Sequence, residues 1–344
     1  MSRESIICGF VQRRGTSLEH VQQVRPEGAA RSRRALTPSV LASDSPADAQ
    51  WAYVTRRFRT LGYDFGIQAT HEGLGRFIDT MFGACAVEGE PTAWYSIIDG
   101  LPGTDPHAVF VDDHEIVRTS YPPYVLRYLT WHVNRQAIAS GHGTHVLLHA
   151  AAAVKDGHAV LLPAGMEAGK TTLVSGLVSA GYGYLTDEAA AIDPQSLRVH
   201  PFPKPLSIDK GSWSVLQDLR PRVDDATAEY LMKQWQVNPQ SIPGATIAGP
   251  APISLIVAPR YVRGAATSFR RIGRREMLID LMSHTFHFHA HGRRNLEVLA
   301  RVASSAACYR LESGDLGDAC RAIDGLLEDS GVQSGDEGFS HDRT

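Results

Sequence analysis

The chain has 344 residues, 43% hydrophobic and 21% charged, a profile that fits a globular protein with enough apolar side chains for two domains. With 34 basic and 37 acidic residues the formal net charge is -3, so no global basic field draws the protein to nucleic acid or a membrane surface, and neither is expected as a partner. Four scattered cysteines, Cys8, Cys85, Cys308 and Cys320, exclude a disulfide framework and a C-x-x-C metal site; no run reaches the roughly 18 apolar residues of a membrane span, and a cytoplasmic location is expected.

Residues 1–46 are rich in Arg, Ser, Ala and Pro without periodicity and read as a disordered leader. An N-terminal α+β domain is expected over 47–140. In it "FRTLGYDFGIQAT" reads as one strand, "GLGRFIDTMFGAC" as an amphipathic helix, and "TAWYSIID", "HAVFVDD" and "EIVRTSY" as strands broken by "GLPGTDP". "PPYVLRYLTWHVNRQAIAS" opens with proline, which suits a first helical turn, and repeats apolar residues at helical spacing.

A second domain over 141–328 opens with "HVLLHAAAAVKDGHAVLLPA", two apolar strands turning at Lys155, Asp156 and Gly157. "KTTLVSGLVSAGY" reads as a helix, "GYLTDE" as a short strand ending in two acids, and "ISLIVAPRYV" as a strand, with helices near 274–285 and 293–306. The segment 218–250 reads as mobile, and the polar tail 329–344 as disordered.

Between the second strand and the helix lies "AGMEAGKTT", close to the phosphate-loop pattern G-x-x-x-x-G-K-[ST], with Ala164 where the first glycine belongs. A tight loop entering a helix turns backbone N–H groups and the positive end of the helix dipole toward a polyphosphate. Gly165, Ala168, Gly169, Lys170, Thr171 and Thr172 are therefore the expected nucleotide-binding residues, with Lys170 on the terminal phosphates and the Thr171 hydroxyl on Mg2+. Glu167 sets a carboxylate beside those phosphates, where like charges repel. Asp187 and Glu188, ending the next strand, supply a metal carboxylate and a proton acceptor side by side, as phosphoryl transfer requires.

From His149 through Glu188 the sequence resembles the catalytic domain of HPr kinase/phosphorylase, the bacterial serine kinase related to phosphoenolpyruvate carboxykinases. "LLHAA", "VLLPAGMEAGKTT" and "LTDE" follow the family's order and spacing, and "HGRRNLEVLARVA" is similar to a later family segment. The resemblance covers roughly 145–310. It implies an α+β, two-domain protein whose C-terminal domain is a phosphate-loop mixed sheet packed with helices, and an ATP- and Mg2+-dependent kinase. The acceptor it implies is a Ser or Thr of a peptide or small protein, and it admits a homo-oligomer. Carried over by position, Asp187 exchanges the hydroxyl proton, Lys170 is the phosphate lysine, His149 stands near the active site, Thr171 and Glu188 hold the metal, and Arg293, Arg294 and Asn295 come near the phosphates or the protein substrate. Ala164 and Glu167 replace family glycines, Glu188 replaces a second Asp, and the family's other glycine-rich signature is absent. These departures keep open a nucleotide-binding regulatory module without transfer, or a phosphate-loop NTP hydrolase.

Three further stretches carry chemistry. "HPFPKPLSIDKGSW" offers Lys204 and Lys210 either to cover a phosphate site or as part of a stiff surface connection, and Arg260 ends a strand where a crevice would lie. "SHTFHFHAHGRR" groups His284, His287, His289 and His291, read as a histidine-rich loop that binds phosphate when protonated, with a transition metal as the alternative.

Overall fold

A computed structural model describes residues 45–100 and 106–331, so the expected leader and tail, and Cys8, lie almost wholly outside the described residues. The first sheet comprises β1 (Tyr53–Val54), β2 (Arg57–Thr60), β3 (Tyr63–Ala69), β4 (Ala86–Val87), β5 (Trp94–Ile98), β6 (His107–Val111) and β7 (His114–Thr119). They are ordered β4-β2-β3-β5-β6-β7, with β1 also on β3. Helices α1 (Glu72–Met81) and α2 (Pro122–Gly141) accompany it. The stretch expected as one strand is the β2–β3 hairpin: Leu61 and Gly62 take φ of 47° and 87°, the pair of positive values a two-residue I′-type turn needs.

The second sheet is built from β8 (Val146–Lys155), β9 (His158–Pro163), β10 (Gly183–Thr186), β11 (Ala189–Ile192) and β12 (Arg198–His200), and, beyond the separate pair β13 (Leu206–Asp209) and β14 (Gln234–Val237), from β15 (Ala251–Tyr261), β16 (Ser268–Arg271) and β17 (Ala307–Ser313). Its order is β10-β8-β11-β12-β15-β17-β16, with β9 antiparallel to β8 and parallel to β15, so the sheet is mixed. Helices α3 (Lys170–Ser179), α4 (Asp225–Tyr230), α5 (Arg274–Ser283), α6 (Gly292–Ser305) and α7 (Leu316–Gly331) complete a mixed α and β architecture. The segment expected to be mobile carries α4 and β14, and β14 pairs with β13 across more than twenty residues of chain, a non-local partnership that local patterning does not reveal.

Alternation along β8 explains its run of alanines. Ala151 and Ala153 face a cluster with Leu173, Val174 and Leu177 of α3 and Ile323 of α7, whereas Ala150 and Ala152 face Met277 and Leu281 of α5 and Leu299 and Val302 of α6. Small side chains let helices approach both faces of the strand, and all four alanines are fully buried. The first cluster extends through Val125 and Leu129 of α2 to Phe58 and Phe65, so both sheets share one core.

The strand expected to end at the two acids is β10, which stops at Thr186 directly before them. β10 and β11 both run antiparallel to β8, with Thr186 opposite Ala152 and Ala189 opposite His149. The register shifts between Tyr184 and Thr186, the ladder opens at Asp187 and Glu188, and it resumes at Ala189. The acids therefore occupy a two-residue kink between β10 and β11, which pair in turn with β8, an irregularity of the kind that re-aims side chains. Among the described residues no helix is long and apolar enough to cross a membrane.

Candidate active site

Strand β9 delivers the chain into the loop and α3 receives it. Ala164 is buried, and from Ala164 to Thr172 only Glu167 and Gly169 have positive φ, 61° and 88°. The backbone at Ala164 thus does not need glycine, whereas Glu167 holds a left-handed conformation that glycine would adopt without strain. A Cβ added at Gly165 would meet nothing within 4 Å, so the loop is open at that point.

Lys170, at the first turn of α3, is buried and folds back over the loop, donating from Nζ to the carbonyls of Ala164 (2.8 Å) and Gly165 (2.7 Å). Its Nζ also lies 3.0 Å from His149 Nε2. Burial pushes the lysine down to about 8, opposed by Glu188 and Asp187. Burial and then the Lys170 charge push His149 down to about 4, so the imidazole is neutral near pH 7. Its Nε2 accepts from the lysine, which assigns the ring proton to Nδ1, 3.6 Å from Glu188 Oε1. β8 thus sets one histidine between the loop cation and a carboxylate.

Asp187 is engaged on both oxygens. Oδ1 accepts the Tyr184 hydroxyl at 2.9 Å and pairs with Lys204 Nζ at 2.7 Å; Oδ2 accepts the Thr171 hydroxyl at 3.1 Å. The Lys204 and Asp187 side chains are only 2% and 1% exposed, a fully desolvated ion pair, and Lys204 also donates to the Pro205 carbonyl at 2.8 Å. Glu188 differs: it is half-buried, forms no ion pair with Lys204, and burial raises its affinity for protons, with Lys204 opposing. Thr172 is tied elsewhere, its Oγ1 lying 2.6 Å from Ser212 Oγ.

Loop, His149, Asp187 and Glu188 therefore come together, and the other expected residues do not join them. Arg293 pairs with Glu297 at 2.9 Å, and Arg294 donates to the carbonyls of Gly143 (3.3 Å) and Thr144 (3.2 Å), so the hydrogen bonds of both go to residues outside the loop. Arg260 pairs with Glu312 at 3.4 Å, and Lys210 lies 5.5 Å over the Trp213 ring. His284 gives its carbonyl to the His149 N–H at 2.7 Å, while the His287 and His291 rings each stand 4.9 Å from His142. Among the described residues no group of three or more His, Cys, Asp or Glu is arranged to hold a metal ion. Tyr184 carries no motif that marks it in the sequence, and Lys204, expected to lie over a phosphate site or in a stiff surface connection, is buried; a lysine framed by prolines in "PFPKP" carries no periodic signal of burial. No family model matches the chain, and no curated protein matches it.

Proposed function

We propose that the protein is a kinase that uses ATP and Mg2+ to phosphorylate a serine or threonine hydroxyl of a peptide or small protein, on a phosphate-loop domain like that of HPr kinase and phosphoenolpyruvate carboxykinase. The observation that carries this reading is the 3.1 Å hydrogen bond from Thr171 to Asp187, which joins the loop to the acid pair as phosphoryl transfer needs. The residues fit the cofactor: an open loop at the start of α3 suits a polyphosphate, and a threonine hydroxyl beside a carboxylate offers the hard oxygen donors Mg2+ prefers. Bound ATP and Mg2+ would supply the phosphoryl group and neutralise much of its charge.

The geometry favours exchanging the roles expected for the two acids. Asp187, saturated with donors and bonded to Thr171, suits the metal side, held in place by Lys204 and Tyr184. Glu188, half-buried and with raised proton affinity, suits accepting the proton of the acceptor hydroxyl. Neutral His149 orients Lys170 and faces Glu188 without adding charge. Lys170 stabilises negative charge on the phosphates.

The test is isothermal titration calorimetry with ATP and Mg2+ on wild type and Lys170→Ala, followed by mass spectrometry for phosphoserine or phosphothreonine on candidate acceptors. Binding that Lys170→Ala abolishes supports the reading; a wild type that binds no nucleotide ends it. A second reading, a module that binds ATP without transfer, draws on the locked Asp187–Lys204 pair and the strained Glu167, and it predicts binding with no phosphorylated product.

A further inference from the structure

A cavity of about 260 Å³ opens between α2, the end of α4 and the β13–β14 pair. Tyr124 and Arg127 of α2, Lys210 and Gly211 after β13, Tyr230 of α4 and Lys233 before β14 line it. Its volume is below the roughly 300–1,000 Å³ of small-molecule and cofactor sites, so it fits one or two side chains rather than a nucleotide. Three cations, Arg127, Lys210 and Lys233, share it with a single lining carboxylate, Asp209, which already accepts the Gln234 amide at 2.9 Å. Gln236 donates onward to Gln234 at 2.7 Å, and the Tyr230 hydroxyl is committed to Asp99, so the free charge facing the cavity is positive in a protein whose net charge is -3.

The cavity wall also comes close to the first turn of α3. Gly211 is followed by Ser212, whose hydroxyl lies 2.6 Å from Thr172 Oγ1, next to Thr171. With Cα atoms 3.8 Å apart along the chain, the lining at Gly211 is within roughly 10 Å of the loop hydroxyls, about three residues of extended peptide.

We propose that this cavity docks the acceptor as an acidic peptide segment, seating an Asp or Glu side chain about three residues from the hydroxyl that is phosphorylated. The inference rests on the kinase reading above. Tyr124 and Tyr230 pack against the methylenes of the seated side chain while Arg127 and Lys233 neutralise its carboxylate.

The experiment measures fluorescence anisotropy of dye-labelled hexaglutamate and hexaglutamine peptides with the full-length protein, beside ATP titrations of the same samples. Hexaglutamate is expected to bind at least tenfold more tightly than hexaglutamine and more weakly as salt rises. Arg127→Glu and Lys233→Glu are each expected to weaken it about tenfold, with ATP affinity unchanged. Equal binding of the two peptides, or variants that hold hexaglutamate as wild type does, overturns the inference. If ATP binds and hexaglutamate does not, the docking pocket falls and the kinase reading stands; charge-sensitive hexaglutamate binding without ATP binding leaves the pocket and removes the kinase.

Discussion

Replacing Lys204 by methionine should be among the most damaging single changes to this fold, although the residue lies in a proline-framed connection. Its ammonium is 2.7 Å from Asp187 Oδ1 and both side chains are almost wholly removed from solvent. At an effective dielectric of about 20, charges at that distance attract by about 6 kcal/mol. Lys204→Met leaves the buried Asp187 carboxylate with the Tyr184 and Thr171 hydroxyls, each worth about 1.5–3 kcal/mol to a charged acceptor, and a long 3.5 Å contact from the Ser207 N–H, so the compensation is partial. The net loss expected is about 3–5 kcal/mol, the range for a buried pair broken on one side, which lowers Tm on the order of 10 °C.

Asp187→Asn alone strands the ammonium with the Pro205 carbonyl and should cost a similar amount. The double variant Lys204→Met/Asp187→Asn removes both charges; its amide oxygen can accept one of the two hydroxyls while its NH2 donates to the oxygen of the other, and it is expected within about 2 kcal/mol of wild type. Thermal and urea unfolding of the four proteins, followed by circular dichroism and closed as a double-mutant cycle, measures this. Single variants that each lose under about 1 kcal/mol, or losses that simply add, would refute the argument that a desolvated pair holds the acid kink in place.

Three further outcomes follow from the site. Because Lys170 is held down to about 8 and phosphate prefers its charged form, ATP affinity should fall as pH rises above about 8, approaching tenfold per unit, whereas Lys170→Arg, which keeps its charge, should give a flatter profile by calorimetry. Glu188 has its proton affinity raised in the fold, so the native state binds more protons than the unfolded one once pH exceeds the usual 4.5, and ionisation costs stability as pH climbs through the raised value; Glu188→Gln should therefore keep or increase Tm at pH 7 while abolishing phosphoryl transfer and sparing ATP binding, and a lowered Tm or retained turnover would count against the assignment. Glu167→Gly should tighten ATP binding several-fold by removing a carboxylate from the phosphate side, while relief of left-handed strain of about 1 kcal/mol acts on the stability of the fold; unchanged or weaker binding in calorimetry would count against that.

Patterned segments were legible from sequence: β8 and β9 are continuous apolar runs because both their faces are buried, and α2 and α3 carry apolar residues at helical spacing. The loop stood out because its residue types match a phosphate-loop pattern and because it sits between a strand and a helix. What stayed hidden depends on partners distant in the chain. Lys204 is buried only because the Asp187 kink receives it, β14 is a strand only because β13 lies opposite, and Leu61 turns left-handed because two strands pair on either side of it.

The substitution that most weakens the sequence motif is the one the fold most readily absorbs. Ala164 has an ordinary φ, its carbonyl receives the Lys170 ammonium, and its side chain is sealed in the core, so the methyl group stands away from the loop opening at Gly165. The cost of departing from the glycine pattern falls on Glu167, whose backbone is strained and whose charge opposes phosphate. Substituting each position separately therefore divides the two readings of the site. If Glu167→Gly sharpens ATP binding and Ala164→Gly leaves it unchanged, the loop is a working nucleotide site tuned toward weaker binding. If neither variant binds ATP, the Lys170–His149–Glu188 chain along β8 is a structural network and the kinase proposal loses its foundation.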